Sequence, residues 1–189
     1  MHDRRAELEA IIRADPDLMR LLRVLRWLDL PQGRAVAGAI YQTVWNVLSG
    51  FPRGTGIRDY DVVYFDEGDL SYEAEDVVIR RVAAATSDFK VKVETRNQAR
   101  VHLWYEQRFG APYPPLACAD QALLRYSTIT HAVGVRLEAD GSLDVIAPFG
   151  LDDMFDMIIR RNPACPSTTA HDEKAERAKA TWPRLRAIG

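Results

Sequence analysis

The stretch Arg58-Asp59-Tyr60-Asp61-Val62-Val63-Tyr64-Phe65-Asp66 decides how this chain folds. β-Branched and aromatic residues fill it, and the run predicts a strand over 59–65. Successive side chains of a strand point to opposite faces. Asp59 and Asp61 therefore share a face with Val63 and Phe65, while Tyr60, Val62 and Tyr64 take the other. Two carboxylates on one face repel each other and lose hydration unless a cation sits between them. A hard divalent cation such as Mg²⁺ chooses oxygen ligands, which makes the pair a candidate metal site. The plainer alternative is a solvated acidic pair with Asp59 as a cap, because Asp-x-Asp is a short pattern.

Upstream lies an apolar run over 35–48, AVAGAIYQTVWNVL. One reading is a strand at 34–37, a turn at Gly38-Ala39 and a helix at 40–49; the other is a single continuous helix. In the first reading Gly38 opens a helix directly after a strand. Backbone N–H groups at such a terminus bind phosphate, and glycine lets the phosphate approach closely. A loop over 49–56 follows on composition, and Arg53 and Arg58 flank the acidic strand as candidate phosphate contacts or solvated loop arginines.

Downstream, a helix over 72–86 is predicted with Val77, Val78, Val82 and Ala85 inward. Phe89, Val91 and Val93 then alternate with Lys90, Lys92 and Glu94 in a second strand, broken at Thr95 to Asn97. If the two strands are neighbours, Glu94 faces the acidic pair. Three converging carboxylates hold two Mg²⁺ ions about 3.5–4 Å apart in sites of in-line phosphoryl transfer. Directly after come Arg96, Asn97, Gln98, Arg100 and His102 on a predicted helix ending at Gly110. Arg96 and Arg100 are candidates to neutralise phosphate, and Asn97 or Gln98 to read a base edge. The alternative is a cap at Asn97 and a half-buried His102.

The flanks are helical in pattern. Leu8, Ile11 and Ile12 mark one N-terminal helix. Asp15-Pro16 caps a second, which carries Leu18, Leu21, Leu22, Leu25 and Leu28 on one face. After Pro112, Pro114 and Pro115, a helix is predicted over 117–129, then a hairpin with strands at 133–138 and 143–146. A short helix over 151–159, a loop over 163–169 and a charged helix over 171–181 complete the chain, with Trp182 and Leu185 docking the tail. Thr128, Thr130 and His131 precede the hairpin and are set aside. The expected class is α+β, a mixed sheet flanked by helices. The expected organisation is one domain over 1–189: N-terminal helices at 1–32, a core with the acidic site at 33–110, and a helix–hairpin–helix extension at 111–189.

Composition excludes little but steers the reading. A net charge of −2 over 189 residues gives no support for bulk electrostatic binding of nucleic acid. Cys118 and Cys165 match no metal or redox spacing, and the four histidines form no zinc pattern. No P-loop and no nucleophile elbow occurs. The N-terminus is too charged for a signal peptide and no run is long enough to span a membrane, so a cytoplasmic location without membrane partners is expected.

With Gly38-Ala39, Asp59-Tyr60-Asp61 and a later carboxylate strand in place, the chain resembles the DNA polymerase β-type nucleotidyltransferase superfamily. More closely it is similar to bacterial nucleotidyltransferase-like proteins formerly treated as a family of unknown function. The segments that carry the resemblance are AGAIYQTVWNVLSG, IRDYDVVYFD, VETRNQARVHLWY, ITHAVGVRL, APFGLDDMFDMIIRRNP and KATWPRL, over roughly residues 35–185. The resemblance implies a minimal nucleotidyltransferase core. It also implies transfer of a nucleoside monophosphate from an NTP to an acceptor (a small molecule, a protein or an RNA end) with Mg²⁺ or Mn²⁺. By position Asp59 and Asp61 would be metal ligands and Glu94 the third carboxylate. Gly38 and Ala39 would form the phosphate turn, with Arg58, Arg96, Gln98 and Arg100 around the nucleotide. The superfamily usually has serine after the glycine; here the residue is Ala39, which has no hydroxyl to offer the triphosphate. A non-catalytic nucleotide-binding module with the same fold is the alternative.

Overall fold

The computed structural model describes residues 3–165 and 169–189. Two helices lead the chain, α1 (Arg4–Ala14) and α2 (Pro16–Leu28). Each is capped as its sequence dictates. Asp3 accepts from the N–H groups of Arg5 and Ala6, and Asp15 accepts from those of Asp17 and Leu18, with Pro16 in the first turn. The leucine stripe of α2 is buried.

The 34–49 run resolves as strand then helix: β1 (Arg34–Val36) and α3 (Gly38–Ser49). Helix α3 therefore starts at Gly38 itself, with Ala37 as the residue before its first turn. Strand β2 (Asp59–Tyr64) lies beside β1, antiparallel. Helix α4 (Tyr72–Ala85) crosses over to β3 (Lys92–Asn97), which pairs parallel with β2. The register sets Asp61 opposite Glu94. Strand β3 starts and ends later than expected, and Thr95 to Asn97 continue it. Thr95 and Asn97 alternate inward with Val93 and are buried, so the ladder is not interrupted. Val82 is buried as expected, but Val77 is 59% exposed because its face of α4 looks outward.

The segment expected as one helix to Gly110 is a 3₁₀ turn over Gln98–Leu103 followed by α5 (Tyr105–Phe109). The Asn97 side chain accepts from Ala99 N and Asp66 N, and Arg100 reaches back to α4, so tertiary polar contacts wind this segment. The 117–129 helix is likewise replaced by 3₁₀ turns at Ala119–Arg125 and Ile129–His131. The hairpin is present as β4 (Gly134–Leu137) and β5 (Leu143–Ile146). The 151–159 helix is shorter than expected. Helix α6 (Asp152–Phe155) gives way to β6 (Ile158–Arg160), which pairs parallel with a terminal strand that the sequence did not announce. Between them runs α7 (Thr169–Thr181), and the terminal strand is β7 (Arg186–Ile188). Residues 166–168 of the expected 163–169 loop lie outside the described residues.

The main sheet has five strands in the order β3-β2-β1-β4-β5. Ala35, Tyr60, Val62, Tyr64 and Val135 point to one face, under α1 to α4. Val36, Val63 and Phe65 point to the other, partly covered by the 3₁₀ segments. A third apolar cluster ties α3 to α7 through Trp45, Ala178, Trp182 and Leu185. Trp45 Nε1 donates to Met154 O (3.0 Å) and Trp182 Nε1 donates to Asn46 Oδ1 (2.9 Å). Gly56, at φ +76°, lies so close under Trp182 that a Cβ would come within 2.4 Å of the indole. The tail thus docks where its tryptophan predicts.

Candidate active site

A pocket of about 530 Å³ opens on the sheet face that carries Asp59 and Asp61, between β2, β3, the start of α3 and the inner side of α7. Its acidic wall follows from strand period two. Asp59 and Asp61 leave β2 on the same side, and Glu94 stands beside Asp61 on β3. The Asp61 carboxyl is pushed up to about 6, first by burial, then by the charges of Asp59 and Glu94; Lys174 and Arg96 pull the other way. Glu94 differs. It accepts from Lys92 Nζ at 2.8 Å, and that hydrogen bond holds its carboxyl below the usual range. Among the described residues no group of three or more His, Cys, Asp or Glu side chains is arranged to hold a metal ion. The donor chemistry nevertheless fits a cation at Asp59 and Asp61. Asp61 is half-buried with Asp59 exposed beside it on the same side of β2, no ion pair within 4 Å is formed by either among the described residues, and the charge of Asp59 raises the cost of ionising Asp61.

The second wall is the start of α3. Ala37 takes φ 51°, ψ −115°, a conformation that an L side chain rarely adopts, and its carbonyl accepts from Ile40 N and Tyr41 N. No side chain caps this helix, so among its first-turn N–H groups those of Gly38 and Ala39 are left for other acceptors. Gly38 lines the pocket. Ala39 does not: it is fully buried, and its methyl belongs to the main core beside Ile40 and Val44. Of the expected Gly38-Ala39 phosphate turn, Gly38 faces the pocket, while α3 turns the Ala39 side chain into the core.

Basic and neutral donors complete the enclosure. Arg58, Arg96 and Gln98 line it. Arg100 does not. It is 8% exposed, pairs with Glu75 of α4 and donates from Nε to Leu70 O (2.8 Å), which makes it a structural residue of the core edge. The α-helix predicted for Gln98 and His102 is a 3₁₀ turn, so these two residues do not share the face that an i,i+4 spacing would give them. The sequence reading missed Tyr41, Lys174 and Arg177 and set His131 aside, yet all four line the pocket. Tyr41 follows Gly38 by one turn and stacks on His131, with ring centroids 4.0 Å apart and 9° between planes. Burial pushes the Tyr41 hydroxyl up to about 12, and Gln42 Nε2 donates to it at 3.2 Å. Burial drives the His131 imidazole well below its ordinary value, so it is neutral near pH 7. Lys174 and Arg177 stand three residues apart on α7, a spacing that a sequence can show but that says nothing of which face meets the sheet.

A family model described as nucleotidyltransferase matches residues 23–187. The chain belongs to this nucleotidyltransferase family. A search of the curated proteins finds no match to it. Among solved structures, one whose description reads "The NMR structure of the protein reveals a CCA-adding enzyme head domain" superposes with a TM-score of 0.75 at 25% identity. It covers 96% of this chain and 94% of that one. A CCA-adding enzyme in complex with CTP superposes with a TM-score of 0.54 at 14% identity, and the chain spans 43% of that protein. The mixed five-stranded sheet flanked by helices is thus the nucleotidyltransferase head fold, as the resemblance implied. Within this family member the acidic wall and the start of α3 come together through the β1–β2 pairing, which sets Val36 opposite Asp61. Among the described residues no helix is long and apolar enough to cross a membrane.

Proposed function

We propose that this nucleotidyltransferase transfers a nucleoside monophosphate from an NTP to an acceptor hydroxyl, with Mg²⁺ or Mn²⁺ held by Asp59 and Asp61. The observation that carries this reading is the like-charged pair on a partly buried wall, beside an uncapped helix start and within reach of basic side chains. Such a pocket pairs a cation site with a phosphate site. The metal would neutralise phosphate charge and lower the cost of placing the donor against two carboxylates. Asp59 and Asp61 hold that charge on one face of β2. Gly38 admits the phosphates to the N–H groups of α3, and Arg58 and Arg96 offset their charge. In the transfer, the acceptor oxygen bonds to the α-phosphorus, the bond to the β-phosphate oxygen breaks, and pyrophosphate leaves. Glu94 takes the acceptor's proton once it turns from Lys92.

A second reading, nucleotide binding without turnover, draws on Glu94 being held by Lys92. One experiment separates the two. The four NTPs, CTP first, are screened by thermal shift with Mg²⁺, Mn²⁺ or EDTA, since a ligand selective for the folded state raises its stability. Any hit is then followed with α-labelled nucleotide and total cell RNA, protein and metabolite fractions as acceptors. A metal-dependent shift with label transfer supports the enzyme, and a shift without transfer supports the binding module. No shift, or equal shifts in wild type and Asp61→Asn, removes the site assignment.

A further inference from the structure

We infer that α7 is the polyphosphate clamp of this site. In this inference, which rests on the nucleotide-donor reading, Lys174 and Arg177 with the imidazole of His131 take up the phosphate chain. Lys174, Arg177, Ala178 and Thr181 all line the pocket, and they fall at i, i+3, i+4 and i+7, one stripe along two turns. The acids of α7 lie off that stripe. Asp172, Glu173 and Glu176 are exposed, and Glu176 pairs outward with Lys179 (3.4 Å). The pocket-lining stripe of the helix therefore carries two cations and no carboxylate. Neither Lys174 nor Arg177 makes an ion pair within 4 Å among the described residues, and Arg177 spends only its Nε, on the Glu173 carbonyl (3.3 Å).

His131 supplies the independent observation. It is 2% exposed, it lines the pocket, and neither ring nitrogen has a hydrogen-bond partner among the described residues. Buried polar atoms are seldom left unpaired, so an unpaired pair aimed at a cavity marks the place of a ligand. A neutral imidazole keeps one N–H donor. Beside an ammonium and a guanidinium, that donor completes a receptor for anionic oxygen. The three groups are fixed by packing: the imidazole by its stack on Tyr41, and α7 by Trp182 against Gly56 and Asn46. Lys174 to Thr181 spans roughly 10 Å at 1.5 Å per residue, room for a chain of phosphates rather than a single one.

The test uses inorganic tripolyphosphate as the probe, in EDTA, with titration calorimetry on the full chain. Wild type binds. Lys174→Gln and Arg177→Gln each bind at least tenfold more weakly, and His131→Phe, which keeps the stack on Tyr41, binds several-fold more weakly. Asp61→Asn binds as well as wild type or better, because a repelling charge is gone. Unchanged far-ultraviolet circular dichroism and melting of Lys174→Gln separates lost contact from lost fold. Wild-type affinity in both α7 variants, or no tripolyphosphate binding by wild type, overturns the clamp. A clamp that passes while no NTP shows a metal-dependent shift leaves α7 as a polyanion site and sinks the donor reading. The converse, a metal-dependent NTP shift unchanged in Lys174→Gln, sinks the clamp alone.

Discussion

Two acidic clusters touch β3, and they are built on opposite principles. At Asn97, Glu75 is 4% exposed and fully engaged. It accepts from the backbone N–H of Asn97 at 2.8 Å and pairs with Arg100, which in turn donates to Leu70 O. At Glu94, three residues earlier, the acids of the pocket wall face one another. Asp61 is left with two neighbouring carboxylates and no cation within 4 Å among the described residues. The first cluster neutralises its own charge and so holds the fold together. The second costs stability in the free protein and lowers that cost when a cation arrives. A buried acid with complete partners is a structural device; one set beside other acids with no cation in contact is a candidate site.

The comparison can be broken in four places. Glu75→Ala carries the largest effect. It leaves Arg100 buried without its partner, and a loss of about 3–5 kcal/mol is expected in denaturant unfolding. Nucleotide binding by the molecules that remain folded is unchanged; a small loss would make Glu75 dispensable and erase the contrast.

Asp61→Asn comes next and has the opposite sign. The Asp61 carboxyl titrates near 6 in the folded chain and near 4 when unfolded, so the folded state holds its proton longer. Wild-type stability therefore falls as pH rises from about 4 to about 6, and the full penalty persists above 6. The asparagine escapes it. Metal-free Asp61→Asn is expected to match wild type at pH 4 and to be more stable by roughly 1–3 kcal/mol at pH 7. Addition of Mg²⁺ and NTP then reverses the order. Equal stability at both pH values in thermal melts would show that Asp61 is not strained.

Ala37→Gly sharpens the comparison at the second wall. The residue sits at φ 51°, ψ −115°, and glycine adopts this without a Cβ penalty. A gain of about 1 kcal/mol is expected in urea unfolding; a loss would mean that the alanine methyl contributes more than the strain costs. Lys92→Ala carries the smallest effect on stability. The ammonium is largely exposed, and its pair with Glu94 is worth less than about 0.5 kcal/mol. Its informative readout is the Glu94 carboxyl, followed by NMR titration, which should move up toward its ordinary range once Lys92 is gone.

Much of this was legible in the chain, for local reasons. The Asp15-Pro16 cap and the leucine stripe place α2, and alternation over 59–65 orients Asp59 and Asp61 together. Gly38 before an apolar run marks the start of α3, although the choice between strand-turn-helix and one long helix needed the β1–β2 ladder. Arg100 and Arg96 look alike in sequence. Their fates differ because Glu75, 25 residues earlier, captures one and not the other. The three-residue strands β6 and β7 are too short to show a period, and they exist because each pairs with the other.

The sequence by itself determined the elements whose signals are local: caps, strand alternation, the glycine at the helix start and, through them, the nucleotidyltransferase core and its two aspartates. Only the tertiary structure decided which faces meet. Lys174 and Arg177 are ordinary members of a charged helix until Trp182 seats that helix over Gly56. His131 is one of three polar residues before the hairpin until the fold stacks it on Tyr41 at the pocket. Backbone preference acts over a few neighbouring residues. The pocket is assembled by packing between segments more than a hundred residues apart, and no local pattern encodes that distance.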